Sequence, residues 1–226
     1  MRTFTNMLSS SWQGAAVPWL VLCLLGFAAG LWPEAIVHPK TPRSMSPLPT
    51  LPALAAAQVI FLLLAYPVIV LRRAEKHPHN FCPGRSVAEL AVLVAAAVPF
   101  SIAAAWFSDG GIADIIRTAM CVATFIPLSA GLCAWTLPAR KPAARATALI
   151  LALTTTAGLS AAVYIAHEFL RPAWADALWQ TAPVTLAWTT ATAPAPLAPL
   201  TFWLLAGLAT IVAAWMTAKE PVANSQ

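Results

Sequence analysis

Residues 53–71 read ALAAAQVIFLLLAYPVIVL and stop against Arg72-Arg73. No charge interrupts the run. About 20 apolar residues wound as a helix cross the roughly 30 Å hydrocarbon core of a bilayer, so this stretch predicts a transmembrane helix. The same criterion, carried outward in both directions, predicts six spans at about 15–32, 53–71, 87–107, 118–137, 146–166 and 199–218. Composition agrees: 60% of the 226 residues are hydrophobic, only 9% are charged, and mean hydropathy is +0.75. A soluble domain carries about 25% charged residues, which excludes an ordinary soluble enzyme, and so apolar a chain is not disordered either. A pI near 9.4 does not point to nucleic acid, because the 13 Lys and Arg are scattered rather than gathered into a phosphate-tracking patch. The expectation is one all-α membrane domain over 1–226, since only helices or closed barrels satisfy their backbone groups in lipid. The alternating ten-residue segments of a barrel are missing.

Orientation follows from the basic residues. With the N-terminus in the cytoplasm, the inner side holds nine: Arg2, Arg72, Arg73, Lys76, Arg85, Arg140, Lys141, Arg145 and Lys219. The outer side holds four: Lys40, Arg43, Arg117 and Arg171. The bias predicts both termini inside. The first span ends in Ala28-Ala29-Gly30, like a signal peptide, but its long and nearly uncharged leader is atypical of one. Small residues such as Thr154-Thr155-Thr156-Ala157-Gly158 let helices approach closely, and Pro18, Pro67, Pro99 and Pro127 can each kink a span.

The inner turns are short and basic. His77, His79 and Cys82 form no closed zinc pattern, and a solvated turn is expected there. Glu89 lies close to the inner boundary, where its carboxylate is expected to snorkel. Cys23, Cys121 and Cys133 fall inside spans with no Cys-x-x-Cys, which argues against disulfide exchange. The chain lacks Gly-x-Ser-x-Gly, His-Glu-x-x-His and a phosphate-cradling glycine loop, so no catalytic residues are assigned. The outer side is the unusual one. Its first loop, 33–52, is proline-rich and stiff. Its second is a short Asp-Gly-Gly turn. Its third opens with a predicted interfacial helix at about 172–182 and continues through an Ala-, Thr- and Pro-rich stretch expected to be irregular. His38 and His167 both face this side, as do Trp32, Trp106, Trp174, Trp179 and Trp188. Two imidazoles on one face could hold one iron, and the indoles offer a platform for a planar ligand.

In this arrangement, and in Val17-Pro18-Trp19-Leu20, Ile165-Ala166-His167-Glu168-Phe169 and Pro199-Leu200-Thr201-Phe202-Trp203, the chain resembles the six-helix haem-delivery proteins of bacterial cytochrome c assembly (system I). The resemblance implies a bacterial inner-membrane protein that presents haem at its outer face. His38 and His167 would be the iron ligands, with Trp106, Trp174 and Trp179 around the porphyrin. That family's Trp-rich segment between spans three and four is reduced here to residues 107–114, beside Trp106, which implies a shortened relative. Two other expectations stand beside this one. The chain could be the membrane subunit of an ATP-driven transporter, docked on a cytoplasmic ATPase, or a non-catalytic subunit packed against other membrane subunits.

Overall fold

A computed structural model describes residues 2–31, 48–76, 83–136, 142–170, 178–193 and 197–218. His38, His77, His79, Cys82, Trp32, Trp174 and residues 171–177 of the expected interfacial helix lie outside the described residues. Those described are helical, with short turns and no strand. The first helix, α1, runs Arg2–Leu31. Then come α2 (Thr50–Ile60), a π-helical turn (Phe61–Ala65) and α3 (Tyr66–Lys76), continuous with one another. Next are α4 (Pro83–Ala96) with α5 (Val98–Phe107), and α6 (Ile112–Thr124) with α7 (Ile126–Thr136). A long helix follows as α8 (Pro142–Leu153), a second π turn (Thr154–Gly158), α9 (Leu159–Ile165) and a third π turn (Ala166–Leu170). The chain closes with α10 (Pro183–Thr192) and α11 (Leu197–Ala218).

Five stretches are long and apolar enough to cross a membrane: Gly14–Leu31, Thr50–Arg73, Gly84–Phe107, Ile112–Trp135 and Leu197–Met216. A sixth apolar helix, Leu149–Ile165, is shorter. The α2 segment is the axis of the bundle. Residues 50–59 are all buried, and α1, α5, α6 and α10 pack around them. Glycines set the closest approaches. A Cβ on Gly26 would stand 2.6 Å from the Ala57 methyl, and one on Gly30 would stand 2.4 Å from the Thr50 Cα. On the other side, a Cβ on Gly207 would reach within 2.5 Å of the Leu128 nitrogen, and one on Gly131 within 3.1 Å of the Ile211 nitrogen. Residue numbers rise together along this second seam, so α7 and α11 run parallel.

Prolines place the interruptions. A proline nitrogen donates no hydrogen bond and its ring crowds the preceding turn, so the helix yields just before it. Pro99 follows the break at Ala97, Pro127 the break at Phe125, and Pro67 the first π turn. That π turn displaces the backbone from ordinary register, and the Leu62 carbonyl accepts a hydrogen bond from Ser129 Oγ. One rim of the bundle is stitched between the second and third long helices. Thr50 Oγ1 donates to the Ala104 carbonyl at 2.6 Å, Leu51 N–H donates to Ser108 Oγ at 3.0 Å, and Leu48 N–H donates to the Phe107 carbonyl at 3.3 Å. The turn out of α5 places Asp109 in the left-handed region at φ 55°, and Gly110 N–H closes onto the Ala105 carbonyl at 2.8 Å. This is the bonding of a Schellman cap.

Two expectations are corrected here. The Ala-, Thr- and Pro-rich stretch after residue 181 is not irregular: Pro183–Thr192 is a helix. Pro183 occupies its first turn, and Thr190 Oγ1 donates to the Leu186 carbonyl at 2.6 Å. Burial of Leu186, Ala187, Thr190 and Ala191 against α2 and α6 overrides the weak helix propensity of the threonines. Trp19 also departs from the aromatic belt at the membrane interfaces, where most of the ten Trp are expected from the sequence. It is fully buried, with its indole edge-on to Phe61 at 4.8 Å.

Candidate functional site

The third π turn carries His167 one helical turn beyond Tyr164. Both side chains meet the indole of Trp179, which arrives from the segment leading into α10. The His167 and Trp179 ring centroids are 4.8 Å apart with planes tilted by 34°, and Tyr164 and Trp179 are 6.1 Å apart at 38°. His167 and Trp179 are half-buried, whereas Tyr164 and Phe169 are exposed. The cluster is an imidazole backed by an indole, with an open aromatic flank. Such a face suits a flat apolar ligand carrying an electron-poor centre.

Of the residues expected at a site, the structure brings together His167 and Trp179. It does not bring Trp106 to them. That side chain is 85% exposed at the end of α5, and α5 packs on α1, α2, α4 and α6, whereas the His167 turn continues α9 and Trp179 leads into α10. The reason is the length of the turn at 108–111, which leaves α5 no outer segment able to reach across the bundle. His38 and Trp174 lie outside the described residues. Tyr164 was not singled out from the sequence, although its three-residue spacing from His167 on a helix was the available signal.

Segment 178–182 is firmly tied. Trp203 N–H donates to the Thr181 carbonyl at 2.8 Å, and Thr185 Oγ1 bonds to the Trp179 carbonyl at 2.5 Å and the Ala182 carbonyl at 3.1 Å. The Trp203 indole is itself buried, 5.8 Å from Phe125.

A second polar cluster lies deeper. Glu89 is 8% exposed and does not snorkel, contrary to expectation. Arg73 Nη1 donates to one of its carboxylate oxygens at 2.8 Å, and the Tyr66 hydroxyl donates to the other at 3.3 Å. The guanidinium lies over Gly14 of α1, where a Cβ would crowd it at 3.1 Å. With both oxygens bonded, the side chain ties the second and third long helices together.

Among the described residues, no three His, Cys, Asp or Glu side chains converge to hold a metal ion. A porphyrin brings four nitrogens of its own and asks the protein for only one or two axial ligands, so a lone imidazole fits that chemistry where a protein-only metal cage does not.

Fold and composition together define a class: an all-helical, multi-pass membrane protein. No protein-family model, curated protein or solved structure matches the chain.

Proposed function

We propose that this chain is a six-span bacterial inner-membrane protein, with both termini in the cytoplasm, that holds haem or a similar planar ligand at its outer face. The observation that carries the reading is the His167 imidazole lying 4.8 Å from the Trp179 indole beside an open aromatic flank. His167 would be one axial ligand, and Trp179 and Tyr164 would offer a face to the macrocycle. His38 and Trp174 belong to the same reading from the sequence. When bound, haem would supply the iron. The residues described bind, orient and shield it. The parallel run of α7 and α11 supports six spans, because the chain between them then has to return across the membrane.

The test is haemin titration of detergent-purified protein, followed at the Soret band. The native chain is expected to bind, and His167→Ala and His38→Ala are each expected to weaken binding by tenfold or more. A native chain that takes up no haemin overturns the reading.

A specific observation favours a second reading, the membrane subunit of a transporter. Helix α10 is ten residues long, so it spans about 15 Å, half the bilayer core, yet most of its residues are buried between other helices. Short helices with non-helical ends at membrane depth often line transport sites. This reading expects an ATPase to co-purify with the native chain, and to be lost when Arg140, Lys141 and Arg145 are replaced together by Gln.

A further inference from the structure

We infer that Trp203 is a positioning residue: its indole N–H holds the Trp179 ring against His167 from the distant helix α11. The inference rests on the proposed ligand face at His167, but concerns how that face is built. After Trp179 the chain turns towards α10, with Thr181 N–H and Ala182 N–H bonding to the Leu178 carbonyl at 2.9 and 3.0 Å. Tertiary contacts fix such a turn to the rest of the bundle. Two contacts do so from outside. Trp203 Nε1 reaches the Thr181 carbonyl at 2.8 Å across 22 residues of sequence, and Thr185 Oγ1, on the first turn of α10, reaches the Trp179 carbonyl at 2.5 Å.

The two bonds differ in stiffness. Thr185 travels with α10 and so ties the turn only to its own continuation. Trp203 is on a separate span, and its ring is wedged between Phe125 at 5.8 Å and Phe202 at 5.2 Å. An indole N–H donates only, so its direction is set by the ring, and the ring is set by its neighbours. The Thr181 carbonyl it fixes is two residues from Trp179. A tertiary anchor at that spacing converts a mobile aromatic into a fixed wall for His167.

The chain has four histidines, so selectively labelled protein in detergent gives a simple imidazole spectrum. The indole ring current displaces the His167 ring-proton resonances, and His167→Ala assigns them. Trp203→Phe keeps an aromatic body beside Phe125 and removes only the donor. It is expected to move the His167 resonances most of the way to the position they take in Trp179→Leu, and to weaken haemin binding about tenfold. Thr185→Val is expected to do the same more weakly, which guards against a Trp203 variant that merely folds badly. His167 resonances unchanged in well-folded Trp203→Phe overturn the inference. Resonances that move while haemin affinity stays native also overturn it as a statement about the ligand face. If the native chain takes up no haemin but the resonances respond, the proposed function falls and the positioning role stands.

Discussion

Among the described residues, Glu89 is the charged side chain that is buried, and its burial sets a sharp electrostatic demand. An ionised carboxylate taken from water into an apolar interior costs several kcal/mol unless it is paired. Here both oxygens are occupied, by Arg73 Nη1 at 2.8 Å and by the Tyr66 hydroxyl at 3.3 Å. The two partners should therefore respond unequally to substitution. Arg73→Met leaves a buried charge with a single neutral donor. Because the guanidinium is 28% exposed, the low end of the range for broken buried pairs applies, about 3 kcal/mol. Arg73→Met combined with Glu89→Leu removes both charges and should recover most of that loss. Thermal unfolding in one detergent checks the order, and a double variant no better than Arg73→Met would show that the pair is not the source of the effect. Sequence made each charge visible by itself, Glu89 as an acid inside a span and Arg73 as a stop. It did not show that residues 16 apart, on α3 and α4, would face each other. The same holds for His167: its place at the end of the fifth apolar stretch was legible, but its contact with Trp179 depended on the segment leading into α10, which was not.

At the scale of the element, the instructive contrast is between glycines that are needed and glycines that are not. Gly207 meets the Pro127–Leu128 backbone so closely that an added Cβ would stand 2.5 Å from a main-chain nitrogen. Backbone does not rotate aside, so Gly207→Ala must pry α11 from α7, and overpacking of this kind costs about 1–3 kcal/mol. At Gly158 an added Cβ would meet the Thr154 methyl at an ordinary 3.6 Å. Gly158→Ala should cost nothing there and gain up to about 1 kcal/mol from lower unfolded-state entropy. Opposite signs from one chemical change, measured as shifts in melting temperature, are the expected outcome. Equal shifts would mean that the α7–α11 seam is looser than its geometry. The five long apolar helices were legible because a long apolar run has few alternatives in lipid. The breaks at Ala97 and Phe125 were legible from the prolines two residues on. Helix α10 was hidden for the opposite reason. Its Thr and Ala residues signal little locally, and its helicity comes from burial against α2 and α6.

At the scale of the molecule, everything turns on whether 142–170 crosses the membrane. Its apolar core, Leu149–Ile165, has 17 residues and spans about 25 Å, a few ångströms less than a typical hydrocarbon layer. A mismatch of that size is met by local thinning of the bilayer or by flanking bases reaching to the headgroups, at a fraction of a kcal/mol per ångström. In the sequence Arg140, Lys141 and Arg145 precede this core and Arg171 follows it. The helix lattice makes a second demand. Gly131 faces Thr210 and Ile211 while Gly207 faces Pro127 and Leu128, so α7 and α11 descend from the same rim. A chain that leaves α7 at the far side and enters α11 at the near one has to return between them, and 142–170 is the long helix available. Six crossings put both termini on one side; five would put them on opposite sides. Reporter fusions after residues 43, 110 and 180 are therefore expected to report the periplasm, and those after residues 78 and 140 and at the C-terminus the cytoplasm. A C-terminal reporter active in the periplasm would remove the fifth crossing. It would also place His167 on the inner face, so the ligand reading would have to be rebuilt on the cytoplasmic side or abandoned.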